Sequence, residues 1–286
     1  MPPATHSLAH RLPHARLSGA SPNLFTYNSC LKACERCADG TTALKLLTRM
    51  RRDGIDPDQI SYTSAVGALG RQGEWERAIG LWGAMADAGV EPDGMALHTL
   101  LRCLTSSGQW RIAEGMYERA DAAGFEAAST AAATLAAIGA CAAAARQLGS
   151  SDEGVEQARK AVSLLQRLAG GDGRGATVGC YRAAVDACCA AGEWRAGLSI
   201  WQRASRTQQL RPDTKMYRLL ARACRAAGAD DELADLLASA EREGVPMMAL
   251  QEADDDGVGP ADTSSDDDDD EVAEELATTA LGWENM

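Results

Sequence analysis

A pattern of 35 residues occurs twice between Leu24 and Asp93, and it constrains the fold more than any other feature of the sequence. Residues of the first copy recur in the second at this one offset: Tyr27 as Tyr62, Ala43 as Ala78, Met50 as Met85, Gly54 as Gly89, and Pro57-Asp58 as Pro92-Asp93. Recurrence at a fixed period of this size is typical of solenoid proteins, in which no repeat can bury its apolar face without its neighbours.

Each copy contains two stretches with helical spacing of apolar residues. In the first copy, Tyr27, Leu31 and Cys34 form one stripe and residues 43–50 form a second. Gly54 suits the left-handed conformation of the residue that follows a helix end. Because the composition is also poor in Phe and β-branched residues, the pattern predicts a helix–turn–helix unit.

The same pattern divides the rest of the chain into less regular units. The predicted units are 24–58, 59–93, 94–128, about 129–177, 178–213 and 214–248. The fourth is degenerate, with an Ala-rich helix over about 127–147, a second helix over about 155–168, and about 13 additional residues. The predicted architecture is therefore an array of about six helical hairpins.

The two flanks of the array differ in charge. Residues 1–23 contain Arg11, Arg16, three His, three Ser and no acid. That composition is typical of a mitochondrial or chloroplast transit segment, and the alternative is a truncated or disordered leader. Residues 249–286 contain 14 acidic residues and no Lys or Arg, which predicts a disordered acidic tail. The remainder has 27 acidic against 28 basic residues, so the net charge of −13 does not exclude a nucleic-acid partner.

The cysteines and histidines indicate no cofactor or metal site. Nine cysteines without framework spacing indicate reduced thiols in an intracellular compartment, and no apolar run has transmembrane length. Cys30, Cys34 and Cys37 have the Cys-x3-Cys-x2-Cys spacing of radical-SAM iron–sulfur sites, but we interpret them as small residues of a packed helix. The chain also lacks a deaminase-type zinc motif, a phosphate-cradling loop and a nucleophile elbow, so we predict that it is not an enzyme.

The residue pattern of the unit resembles the pentatricopeptide repeat, a helix–turn–helix unit of RNA-binding proteins. The resemblance is carried by Leu24-Phe25-Thr26-Tyr27-Asn28, by Ala43-Leu44 with Met50, and by Gly54-Ile55-Asp56-Pro57-Asp58. It implies an all-α fold, a right-handed α-solenoid, followed here by the disordered acidic tail. It also implies single-stranded RNA as the partner and a chloroplast or mitochondrion as the location.

The resemblance also implies which side chains contact RNA. In the family, the fifth and last residues of a repeat select a base, and the second residue packs on the face of that base. In the first unit these residues are Asn28, Asp58 and Phe25, and in the second they are Thr63, Asp93 and Ile60. The implied bases are uracil for the first unit and guanine for the second. The alternative is that Asn28 and Thr63 are ordinary exposed helix residues and that each Asp caps the following helix.

The later units depart from this pattern. The corresponding pairs are His98 with Ala128, Arg182 with Asp213, and Arg218 with Met248, none of which is a standard recognition pair. We expect Arg182 and Arg218 to contact phosphate instead, which positions RNA without selecting its sequence.

The sequence therefore favours a non-catalytic RNA-binding factor that acts in organellar RNA processing, stability or translation, with other RNA-processing proteins as further candidate partners. The alternative is a protein-interaction scaffold of the tetratricopeptide type. The period of 35, the closing Pro-Asp and the lack of a Trp-Leu-Gly-Tyr pattern oppose that alternative, whereas the degenerate third and fourth units support it.

Overall fold

The structure is a computed structural model that describes residues 22–122, 124, 128, 130–170, 176–206 and 213–245. The predicted leader lies outside the described residues except for its last two positions. The predicted acidic tail lies outside them entirely.

The described residues form helices and no strands. The helices are α1 (Leu24–Arg36), α2 (Gly40–Arg52), α3 (Gln59–Gln72), α4 (Trp75–Asp87), α5 (Gly94–Ser106), α6 (Trp110–Ala122), α7 (Ala131–Leu148), α8 (Asp152–Gly170), α9 (Val178–Ala190), α10 (Trp194–Arg206), α11 (Thr214–Ala227) and α12 (Asp230–Arg242). The prediction of an all-α fold built from helix–turn–helix repeats is confirmed.

The first compact unit comprises the described residues up to Ala133. In it, α1 pairs with α2, α3 with α4, and α5 with α6. The first helices of successive repeats also pack on one another, because α3 lies against both α1 and α5. The second helices α2 and α4 each contact the first helix of the following repeat. Each repeat therefore completes the core of its neighbour.

Recurring aromatic residues fill the core of this unit. Tyr27 and Tyr62, which are 35 residues apart, are both buried. The Tyr27 hydroxyl donates to Asp53 Oδ2 at 2.5 Å, and the Tyr62 hydroxyl accepts a hydrogen bond from Arg51. A buried phenol needs a partner for its hydroxyl, and in both repeats a residue at the end of α2 supplies it.

The second compact unit begins at Thr134, within α7. Here α9 packs against α8, α10 and α11, and α11 packs against α10 and α12. Among the described helices, α7 alone is long and apolar enough to cross a membrane, with a mean hydropathy of 1.3. The sequence prediction that no apolar run reaches this length is therefore wrong for α7. However, 56% of this helix is buried inside the fold, as is usual for a core helix.

Two helical glycines of the first unit have opposite surroundings. A Cβ atom on Gly70 would lie 2.7 Å from Cys103 Cβ and 3.3 Å from Cys103 Cα, because α3 and α5 approach closely there. A Cβ atom on Gly80, in α4, would meet nothing within 4 Å. Gly70 therefore permits helix packing, whereas Gly80 only adds flexibility to the unfolded chain.

We expect Gly70→Ala and Gly80→Ala to change stability in opposite directions. The first should destabilise the fold by about 1–3 kcal/mol, because α5 must move away from the added methyl group. The second should stabilise it by about 0.5–1 kcal/mol through helix propensity. Urea denaturation of the two variants and the parent protein measures both effects. Equal shifts of the midpoint would contradict the close approach of α3 and α5.

Candidate nucleic-acid interface

Three exposed apolar side chains form a row on the first helices of the first compact unit. Phe25 on α1 is 79% exposed, Ile60 on α3 is 57% exposed, and Met95 on α5 is 56% exposed. They are spaced by 35 residues, and α3 contacts both of the other helices, so the row crosses three neighbouring helices. Large apolar side chains repeated on one exposed face indicate a binding surface. The sequence analysis missed Met95, although it follows Ile60 by 35 residues and so has the same position in its repeat.

The first predicted recognition pair is in contact. Asn28 Nδ2 donates to both carboxylate oxygens of Asp58, at 3.1 and 3.2 Å. Asp58 is also the N-cap of α3, where Oδ1 accepts the Ser61 backbone N–H at 2.9 Å. The two sequence interpretations of Asp58, helix capping and contact with the fifth residue, are therefore compatible in one side chain.

The second predicted pair has a different geometry. Asp93 caps α5 by accepting the Ala96 backbone N–H at 2.7 Å. Thr63 is half-buried on α3, and within this described repeat no hydrogen bond joins its hydroxyl to Asp93. A threonine side chain is one atom shorter than asparagine, so it does not bridge the gap to the next repeat as Asn28 does.

The third unit offers a histidine at the fifth position and no carboxylate. His98 is half-buried on α5, and Ala128 is fully buried. Burial lowers the pKa of His98, and the nearby Arg102 lowers it further. The imidazole is therefore predominantly neutral at pH 7, and this position adds no positive charge to the row.

In the second compact unit, an ion pair occupies the equivalent of the Asn28–Asp58 contact. Arg182 Nη1 on α9 lies 2.5 Å from Asp213 Oδ2, and Asp213 caps α11 by accepting the Met216 backbone N–H at 2.9 Å. Arg218 is half-buried on α11, and its predicted partner Met248 lies outside the described residues. The structure thus places the Arg182 guanidinium against a carboxylate rather than leaving it as an isolated charge.

The first helices of this second unit carry additional arginines. Arg146 Nη1 on α7 lies 3.1 Å from Asp186 Oδ2 on α9. Burial raises the pKa of Asp186, and three nearby guanidiniums partly lower it, those of Arg146, Arg222 and Arg182. Helix α11 contains only basic charged residues, namely Lys215, Arg218, Arg222 and Arg225. At the fifth positions this unit therefore presents arginines, where the first unit presents Asn28, Thr63 and His98.

A recess of about 830 Å³ lies beside the C-terminal parts of α1, α3 and α5. Its lining includes Arg36, Arg71 and Arg102, and the side-chain-free positions Gly67 and Gly70 of α3. It lies at the opposite end of these helices from the apolar row, and its charged lining is these three guanidiniums together with the carboxylate of Glu35.

The cysteines of α1 have the environment of packing residues. Cys34 is buried, and burial is the main cause that raises the pKa of its thiol to about 11. Cys30 is half-buried, and burial raises its pKa too, whereas Cys37 follows the helix and is exposed. Thiolates are therefore disfavoured at Cys30 and Cys34. Within the described parts of the chain, no group of three His, Cys, Asp or Glu side chains is placed to hold a metal ion.

The Asn28–Asp58 contact can be tested through its energetic coupling. In a double-mutant cycle, Asn28→Ala and Asp58→Ala should couple by about 0.5–1.5 kcal/mol in the free energy of unfolding, the value of one net hydrogen bond. The cycle of Thr63→Ala and Asp93→Ala is the matched control. Because no hydrogen bond joins that pair, its two effects should add to within about 0.5 kcal/mol. Urea denaturation measures both cycles, and equal coupling in the two would contradict the described difference.

Comparisons with known proteins support the fold. Residues 2–122 match the family model for the pentacotripeptide-repeat region of PRORP. The crystal structure of the pentatricopeptide repeat protein PPR10 from maize matches with a TM-score of 0.57 and 21% identity, over 84% of this chain and 34% of that one. No curated protein matches the sequence.

Two solved complexes are also similar. PPR10 in complex with an 18-nt psaJ RNA element matches with a TM-score of 0.49 and 14% identity, over 83% of this chain and 38% of that chain. The PPR domain of Arabidopsis thaliana protein-only RNase P 1 in complex with tRNA matches with a TM-score of 0.39 and 11% identity, over 87% of this chain and 96% of that chain. The chain thus spans about a third of the length of PPR10. Residues 2–122 therefore match the pentatricopeptide repeat family, and the described helical hairpins share the fold of PPR10.

Proposed function

We propose that this protein binds single-stranded RNA and that its first compact unit recognises bases. The observation that carries the proposal is the Asn28 amide, which is held by Asp58 beside the exposed row of Phe25, Ile60 and Met95. A fixed amide can hydrogen-bond to the Watson–Crick edge of a base, while apolar side chains cover the faces of neighbouring bases.

The energies of these contacts set a limit on selectivity. Stacking of a base is worth about 1–3 kcal/mol, so two recognised bases supply about 2–6 kcal/mol. We infer that contacts independent of sequence add to this affinity. Arg36, Arg71 and Arg102 line the recess at the C-terminal ends of the helices that carry the row, and guanidiniums of this kind bind phosphate well.

Arg182 and Arg218 remain our candidates for phosphate contacts in the second compact unit. The pairing of Arg182 with Asp213 uses part of its hydrogen-bonding capacity, and a guanidinium has five N–H donors. Arg182 can therefore donate to a phosphate oxygen while it keeps its carboxylate. Because such contacts go to the backbone, we expect them to raise affinity for all sequences equally.

We further propose that the role is non-catalytic and organellar, in the processing, stability or translation of a transcript. The leader composition over residues 1–23 supports the location, since Arg, Ser and His occur there without acids. The rival function is a protein-interaction scaffold. It is supported by the third unit, where His98 and the buried Ala128 form no recognition pair.

The second repeat provides a direct test of base recognition. Thr63→Asn gives the second repeat the same Asn–Asp pair as the first repeat. It should move the preferred base at the nucleotide bound by the second repeat from guanine towards uracil. The nucleotide bound by Asn28 and Asp58 should keep its preference, because each repeat recognises its own base. Thr48→Asn, on the exposed face of α2, is the matched control and should leave both preferences unchanged.

Binding to a randomised RNA pool before and after each substitution is the measurement. If neither the parent protein nor Thr63→Asn shows a base preference, recognition of sequence is wrong and the scaffold function becomes the better account. Crosslinking in organelles provides a second test, because an RNA-binding factor yields a defined transcript and a scaffold yields proteins.

A further inference from the structure

Ser61 lies at the junction of the first two repeats and is fully buried. Its hydroxyl oxygen is 2.6 Å from Asn28 Oδ1 and 2.8 Å from Asp58 Oδ1. It also accepts the backbone N–H of Asp58 at 3.3 Å, as the third helical residue of a capping box. One hydroxyl group therefore contacts both members of the first recognition pair.

The hydrogen atoms in this contact fix the orientation of the Asn28 amide. An ionised carboxylate can only accept, so the Asn28 atom that faces Asp58 must be the donor Nδ2. The carbonyl Oδ1 then faces Ser61, whose single hydroxyl hydrogen is shared between this oxygen at 2.6 Å and Asp58 Oδ1 at 2.8 Å. Because both ends of the amide are held, one N–H and one lone pair remain for a ligand, and the nitrogen and the oxygen cannot exchange places.

We propose that Ser61 is a positioning residue that fixes this order and thereby distinguishes uracil from cytosine at the nucleotide bound by the first repeat. The inference rests on the proposed function. Uracil presents an acceptor at position 4 and a donor at position 3, whereas cytosine presents a donor at position 4 and an acceptor at position 3. An amide that cannot exchange its two ends matches one of these two patterns, while a loosely held amide accommodates both.

Four other repeats have a different residue at this place. Aligned on the buried tyrosine or its equivalent, the residues at the place of Ser61 are Thr26, Ala96, Cys180 and Met216. Thr26 has a hydroxyl group, but it caps α1 with Asn23 and contacts no fifth residue of an earlier described repeat. Ala96 follows Asp93 as Ser61 follows Asp58, and it has no hydroxyl group to hold the side chain at position 63.

The loss-of-function test compares Ser61→Ala with Thr26→Ala. Both remove the third-residue hydroxyl of a capping box, so both should lower thermal stability, and Ser61→Ala should lower it more because its hydroxyl is buried and bonds to Asn28 as well. Only Ser61→Ala should reduce the ratio of uracil to cytosine binding at the first nucleotide, by about threefold to tenfold, which corresponds to one net hydrogen bond. Total affinity for a mixed pool should change little, because both pyrimidines can still pack against Phe25.

The gain-of-function test builds the same junction one repeat later. The Thr63→Asn variant alone should bind uracil only slightly better than cytosine. Adding Ala96→Ser to it should raise the ratio of uracil to cytosine binding by about threefold to tenfold. Binding to RNA oligonucleotides that differ only at the second nucleotide is the measurement. The double variant is the more informative, because added discrimination cannot arise from loss of stability.

Three outcomes separate the inference from the proposed function. If Ser61→Ala keeps the parental ratio, or the double variant is no more selective than Thr63→Asn alone, the positioning role is wrong and base recognition stands. If the parent protein shows no preference between bases, base recognition fails and the positioning role fails with it. NMR relaxation of the Asn28 side-chain amide adds a test without RNA, since the amide should become more mobile in Ser61→Ala and stay unchanged in Thr26→Ala.

Discussion

The packing of α3 against both α1 and α5 is the constraint on which the first compact unit depends. No single hairpin can bury its apolar face, so these contacts complete the core and also fix the spacing of the exposed surface. Gly70 sets how closely α3 and α5 approach, because Cys103 occupies the volume that a Cβ atom would need. The apolar row of Phe25, Ile60 and Met95 follows from the same packing, since one residue of each helix faces away from it.

Aspartates at the junctions between repeats connect this packing with the candidate site. Asp58, Asp93 and Asp213 each cap a helix by accepting a backbone N–H. Capping stabilises a helix by about 0.5–2 kcal/mol, so these side chains would be retained without RNA. In two of the three, the same carboxylate also holds the fifth residue of the preceding repeat. The cap thus fixes the position of a side chain that would otherwise be a mobile surface group.

The period of 35 residues was sufficient to predict the helical hairpins, because periodicity determines which positions share a face, whereas the pairing of Asn28 with Asp58 was implied by the family resemblance. It was not sufficient to predict the contacts themselves. Thr63 does not reach Asp93, and Arg182 forms an ion pair with Asp213. Such differences depend on side-chain length and on distances between helices, which spacing does not encode. The role of Ser61 was hidden for the same reason, since a buried serine in a capping box has no signature that distinguishes it from an ordinary cap.

The chemistry of the fifth residue separates the two compact units. Asparagine has both a donor and an acceptor, so once its orientation is fixed it can distinguish bases that present opposite patterns. Arginine has only donors, and it binds any oxygen acceptor that approaches, including those of phosphate. Arg182, held by Asp213, is therefore suited to contacts that do not depend on sequence, while Asn28, held by Asp58 and Ser61, is suited to contacts that do. In the proposed function, the residue at the fifth position determines which of these contacts the repeats of Asn28 and Arg182 make.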